Sequence, residues 1–144
     1  MTIIQSEFAT GQKQVTVPRE SGVIVTERFS VTLAADTLAA DIIEIGVLPG
    51  GGIPVDAVFI SDECGTGTFN VGIMSGNVGS QDATRTVGAE LFSAVADDSV
   101  VRATLPAVFG AIAPASDNRS IGVKCSAGIT ANGQVITVLL SYKV

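Results

Sequence analysis

The sequence predicts an all-β protein: a two-sheet sandwich or jelly roll of about eight strands, preceded by an extended N-terminal arm. Three observations predict it. Short segments rich in β-branched residues alternate apolar and polar positions, glycine-rich turns separate them, and almost no stretch shows a helical period. The 144 residues suit one domain, and a domain of that size buries roughly two-thirds of the surface its unfolded chain exposes.

Residues 1–20 are polar and only weakly alternating, and Val15, Val17 and Pro18 favour an extended path, so this stretch reads as an arm and residues 21–144 as the sandwich. From Gly22, Val23, Val25, Phe29, Val31 and Leu33 alternate with Ile24, Thr26, Arg28, Ser30 and Thr32, which predicts a half-buried strand interrupted at Glu27. An Ala-rich connection, LAADTLAAD, follows. Asp41 to Leu48 then sets Ile43, Ile45 and Val47 on one face and ends in Pro49 and Gly50-Gly51-Gly52. Those glycines lack the Lys and Ser/Thr of a phosphate loop and the helix of a dinucleotide loop, so a tight turn is expected.

Val55 to Asp62 is apolar on both sides, as a central strand would be, and Thr68 to Met74 places Phe69, Val71 and Ile73 together; the pair reads as a hairpin. Residues 75–86 form a polar loop. Val87, Leu91 and Val95 fall four apart, which allows a helical turn or two, with a short strand fitting nearly as well. Val100 to Leu105 and Val108 to Ile112 read as short extended pieces. Ile121, Val123 and Cys125 alternate, Ala131-Asn132-Gly133 turns, and Gln134 to Val144 closes the chain with Ile136, Val138, Leu140 and Tyr142 on one side.

Composition narrows the function. Hydrophobic residues make up 47% and charged residues 15%, against about 25% charged in a usual soluble domain. So thin a charge leaves more neutral surface than a free monomer shows, which points to an assembly. The net charge is -6, and Arg19, Arg28, Arg85, Arg102 and Arg119 are scattered, so no basic face for nucleic acid is expected. No apolar run approaches a membrane span, and MTIIQSEF lacks the pattern of a signal peptide. The expectation is a chain that touches no membrane and stays in the cytoplasm where it is made, with Cys64 and Cys125 as small core thiols.

The means of catalysis are missing. With no histidine there is neither the commonest general base nor the commonest metal ligand, and no G-x-S-x-G or S-x-x-K arrangement is present. Two carboxylate pairs, Asp62 with Glu63 and Asp97 with Asp98, could serve a carbohydrate-active site or hold calcium. Both flank turns, where Asp caps the local backbone, and no Asp-rich calcium loop or aromatic sugar platform accompanies them. No cofactor is expected. Phe29, Phe59, Phe69, Phe92 and Phe109 read as core.

The succession IIEIGVLPGGGIPVDAVFISD, TFNVGIM, AELFSAV, RATLPAVFGAIAP, DNRSIGVKCSAG and ITVLLSYKV, over residues 20 to 144, resembles the small jelly-roll cement or decoration proteins encoded beside the major capsid protein in some tailed bacteriophages. The resemblance implies a non-enzymatic virion protein that binds the outer surface of the phage head and bridges capsomers. Its partners would be the major capsid protein and its own copies, as homodimer or homotrimer. A different virion module, in the tail, a head fibre or a receptor-binding sandwich, is the alternative. Within the arm, Ile3, Ile4, Phe8, Val15, Val17 and Arg19 are the expected contacts, because apolar residues in a polar arm have no evident core to join. The loop Ser75 to Thr86 is the second candidate.

Overall fold

In the computed structural model, residues 1–18, 22–96, 99–103 and 112–144 are described. They hold nine strands and no helix: β1 (Ile3–Gln5), β2 (Val25–Thr32), β3 (Ile42–Leu48), β4 (Ile53–Ser61), β5 (Thr68–Ile73), β6 (Phe92–Ala96), β7 (Ser99–Arg102), β8 (Arg119–Cys125) and β9 (Val135–Lys143). The first sheet has the order β1-β3-β8-β5-β6 and the second β2-β9-β4-β7. All pairings are antiparallel except that of β1 with β3, which is parallel.

The core between the sheets follows the alternation in the sequence. Along β9, Ile136, Val138, Leu140 and Tyr142 are fully buried, each contributing about 1.5–3 kcal/mol by leaving water. Phe59 from the second sheet meets Phe69 and Phe92 of the first, with ring centroids 5.2 and 5.8 Å apart, a separation at which tilted rings attract. Phe109 lies outside the described residues. Cys64 and Cys125 are buried, unlinked by a disulfide, and the Cys64 thiol donates to the Asp62 carbonyl.

Two expectations are corrected. β4 and β5 do not form a hairpin: β4 pairs with β9 and β7, β5 with β8 and β6, and residues 62–67 cross from one sheet to the other. Strand periodicity records which face is buried and not which strand lies alongside. Val47 leaves the face of Ile43 and Ile45, because a bulge between Glu44 and Gly46 shifts the phase; Leu48 takes its place in the core. Of the two readings of the segment after Val87, the structure shows the short strand: Val87 bridges Met74 and Phe92 opens β6.

The first sheet is covered on both faces, and every residue of β3 is buried. Its outer side is roofed by residues 74–91, which return over the sheet through bonds from Ser75 N–H to the Thr86 carbonyl and from Gly88 N–H to the Ile73 carbonyl. Gly122 makes this approach possible: a Cβ there would sit 2.5 Å from Met74 and 2.7 Å from Val87. Under the roof lies a second, small apolar cluster of Ile3, Ile42 and Met74, with Val87 packed against it.

Candidate interaction site

The first 18 residues do not stand away from the sandwich. β1 adds to the first sheet beside β3, Ile3 opposite Ile42 and Gln5 opposite Glu44, and Ile3 is buried. A tight turn follows, held by Thr10 N–H to the Ser6 carbonyl and Lys13 N–H to the Glu7 carbonyl. Beyond it Phe8 meets Phe29 edge-on at 4.8 Å, and Ile4 and Val15 pack against the main core.

The segment is then clasped at Thr16, whose N–H donates to the Glu27 carboxylate at 2.9 Å and whose carbonyl accepts from the Tyr142 hydroxyl. That explains Glu27, the charge that interrupts β2: it faces inward because Thr16 is there to meet it. Burial, and after it the neighbouring Glu27 charge, pushes the Tyr142 phenol well above its ordinary 10.0, so it remains a donor through any physiological pH.

The premise that apolar residues of this segment have no core to join therefore fails for Ile3, Ile4, Phe8 and Val15. The sequence hides their core because it is made by a parallel pairing with β3, some forty positions away. Val17 differs; it is 53% exposed. Arg19 lies outside the described residues.

Val17 stands on the wall of an open groove of about 740 Å³, where the N-terminal segment, the end of β3 and the loop 75–86 come together. Its lining includes Phe8, Lys13, Val17, Val47, Pro49 and Val78. The two sequence candidates, the first residues and the loop, thus share one site. Val47, Pro49 and Asn118 complete it, and nothing local in their sequence announces them.

What fixes the loop is a buried ion pair. Glu44 is fully buried and Arg85 is 3% exposed. The Arg85 Nη2 donates to Glu44 Oε1 at 3.1 Å, its Nε to the Ser75 carbonyl at 2.7 Å and its Nη1 to the Ser80 carbonyl at 2.8 Å. Glu44 also accepts from Ser120 Oγ at 2.5 Å, Gly79 N–H at 3.0 Å and Gln5 Nε2 at 2.8 Å.

Burial alone would raise the Glu44 pKa, but the bonds from Ser120, Gly79, Arg85 and Gln5 outweigh it and hold the carboxyl below its ordinary value. One carboxylate thereby ties β1, β3, β8 and the loop into a single rigid rim. The available signal was a lone acid inside the otherwise apolar run IIEIGVL.

Among the described residues no cluster of His, Cys, Asp or Glu could hold a metal ion. Of the acidic pairs, Asp62 caps the start of β9 by accepting from Val135 N–H at 2.9 Å, and Asp97 and Asp98 lie outside the described residues. A preformed, open groove with mixed walls suits an extended protein surface.

No protein-family model matches the chain, and no curated protein does. Among solved structures, a chain of the capsid of Ralstonia phage GP4 is 44% identical, with 98% of this chain and 97% of that one covered and a TM-score of 0.90. A chain of the cyanophage Pam1 capsid asymmetric unit is 19% identical over 93% and 95%, TM-score 0.63. One from the acid-stable capsid of the Helicobacter pylori bacteriophage KHP30 is 11% identical over 87% and 90%, TM-score 0.54. The latter two share the fold; at 44% identity over nearly the whole of both chains, the first shows more, and the chain belongs to the family of bacteriophage capsid structural proteins.

Proposed function

We propose that this protein is a capsid cement or decoration protein, made in the host cytoplasm, that binds the outer surface of the assembled head and bridges neighbouring capsomers through the groove between its N-terminal segment and the loop 75–86. The observation that carries this reading is how fully the chain is folded on itself. Its accessible surface is 7106 Å² at 14.6 kDa, against about 6,900 Å² for a self-contained protein of that mass. A chain that adds to a finished shell arrives folded and joins through a ready surface, whereas one that builds the shell must reach its neighbours on every side. Many modest contacts, repeated over a shell, add up to strong reinforcement. The partners are then the major capsid protein and other copies of this chain.

The test is to assemble heads without this chain and then supply it. Shells that form alone, take up the purified protein saturably in hundreds of copies and resist disruption to a higher temperature support cementing. Failure of any shell to form would make the chain the capsid subunit itself. Attachment of a handful of copies at one vertex or on the tail would make it a different virion module.

A further inference from the structure

Four strand edges border the two sheets among the described residues, and three of them are blunted. β1 runs for three residues and β7 for four. β6 is broken by a register shift against β5 and by Ala94, whose φ of 51° lies in the left-handed region. Short edges and bulges are the devices that keep foreign strands from adding to a sheet. β2 has neither. Its eight residues keep unbroken register with β9 and contain no proline, glycine or lysine.

The hydrogen-bond phase shows which groups of β2 are free. Leu33, one step beyond the strand, donates to the Gln134 carbonyl directly opposite it at 2.9 Å. In an antiparallel ladder this turns the odd-numbered residues towards β9 and the backbone of the even-numbered ones outward. Thr26, Arg28, Ser30 and Thr32 accordingly hold N–H and C=O groups at the rim, and all four are exposed. Among the described residues no backbone bond from residues 1–18 reaches them, and an open gap bordered by Ile4, Phe8, Arg28 and Thr32 lies alongside.

We infer that this edge pairs antiparallel with the same edge of a second copy, with Phe29 on the two-fold axis. The register follows from the residues. Centred on Phe29, Thr26 meets Thr32 and Arg28 meets Ser30 of the second copy, so every outward backbone group of the four finds a partner. Centred one residue earlier, Arg28 would oppose Arg28, like charges directly across the pair.

The flanks agree. Before the strand Val23 and Ile24 are 44% and 58% exposed, and after it Leu38 is 70% exposed, beside exposed Ala34 and Ala35. Two-fold pairing lays the start of one strand along the end of the other, so Ile24 covers Ala34 and Val23 covers Ala35 of the second copy without any further partner. Such a pair would carry two grooves. The pairing is a property of the isolated chain and stands or falls apart from the chain's place on a capsid.

Sedimentation of the purified chain across the micromolar range tests it, with three variants at Ser30, whose side chain faces solvent. Ser30→Pro removes an outward N–H and should leave a folded monomer. Ser30→Glu sets a carboxylate against Arg28 of the second copy twice per pair and should tighten dimerisation by about two- to thirtyfold, while Ser30→Lys should weaken it by a similar factor. A wild-type chain that stays monomeric, a dimer indifferent to Ser30→Pro, or Glu and Lys variants that shift dimerisation in the same direction would each overturn the proposal.

Discussion

Replacing Arg85 with methionine isolates the buried ion pair that holds the loop 75–86. Methionine keeps the apolar stem under the roof but leaves Glu44, fully buried, without the guanidinium 3.1 Å away. The Ser75 and Ser80 carbonyls lose their donors as well. Breaking one partner out of a buried pair costs about 3–5 kcal/mol, which at roughly 3 °C per kcal/mol for a chain of this size lowers Tm by about 10–15 °C.

The pH dependence adds a sign. In the wild type the Glu44 pKa is depressed below 4.5, so its contribution is present above that value and is lost as pH falls through the folded pKa. In Arg85→Met the desolvation is less opposed, the folded pKa should rise, and the buried charge should destabilise the variant most at neutral pH. The gap between the two proteins should therefore narrow in acid. Urea unfolding followed by circular dichroism at neutral pH and near pH 4.5 measures both. A loss below about 1 kcal/mol, the value of an exposed pair, or a gap that does not shrink in acid, refutes the account of Glu44 as an anion held by its buried donors.

Three further outcomes are expected. Tyr142→Phe leaves the Thr16 carbonyl without its donor and should cost about 0.5–1.5 kcal/mol; limited trypsin digestion should cut faster after Lys13. Because the phenol's folded pKa is raised above 10.0, its contribution is complete below that pH and is lost as pH climbs past it, so the Phe variant should show a shallower alkaline decline. Gly46→Ala drives a Cβ to within 2.4 Å of the Phe29 ring and should destabilise by about 1–3 kcal/mol, read as a lower urea midpoint. Val17→Asp alters an exposed side chain on the groove wall; it should leave Tm unchanged and weaken attachment to heads by about tenfold, the effect of losing roughly 1.4 kcal/mol of contact, measured by cosedimentation.

Faces were legible in the sequence and neighbours were not. The alternation of β9 predicted its buried side residue by residue and that of β2 held from Phe29 onward, because period two is a local consequence of the pleat, whereas Val23, expected on the same face, is 44% exposed. The parallel union of β1 with β3 and the crossing between β4 and β5 left no such mark, since each joins segments by contacts between distant residues. Val47 departs from the predicted face for a related reason: one extra residue at the bulge reverses the phase, and the local cue for it is Gly46 within the strand. The site shows the same division. Val17 and the loop 75–86 stood out as apolar or polar against their surroundings, whereas Val47, Pro49 and Asn118 reach the groove through the end of β3 and the β8 approach.

Glu44 connects these levels. A glutamate in a strand buried on both faces is costly unless every oxygen is met, and here Gln5, Gly79, Arg85 and Ser120 meet them from three separate parts of the chain, β1, the loop 75–86 and β8. Each of those parts lines or borders the groove, so the groove's shape is set before any partner arrives. A preformed surface loses little freedom on binding, which is what a protein repeated over a shell requires if each contact is small. The same logic separates two kinds of variant: substitutions at Glu44 or Arg85 should lower stability and attachment together, while Val17 should change attachment alone.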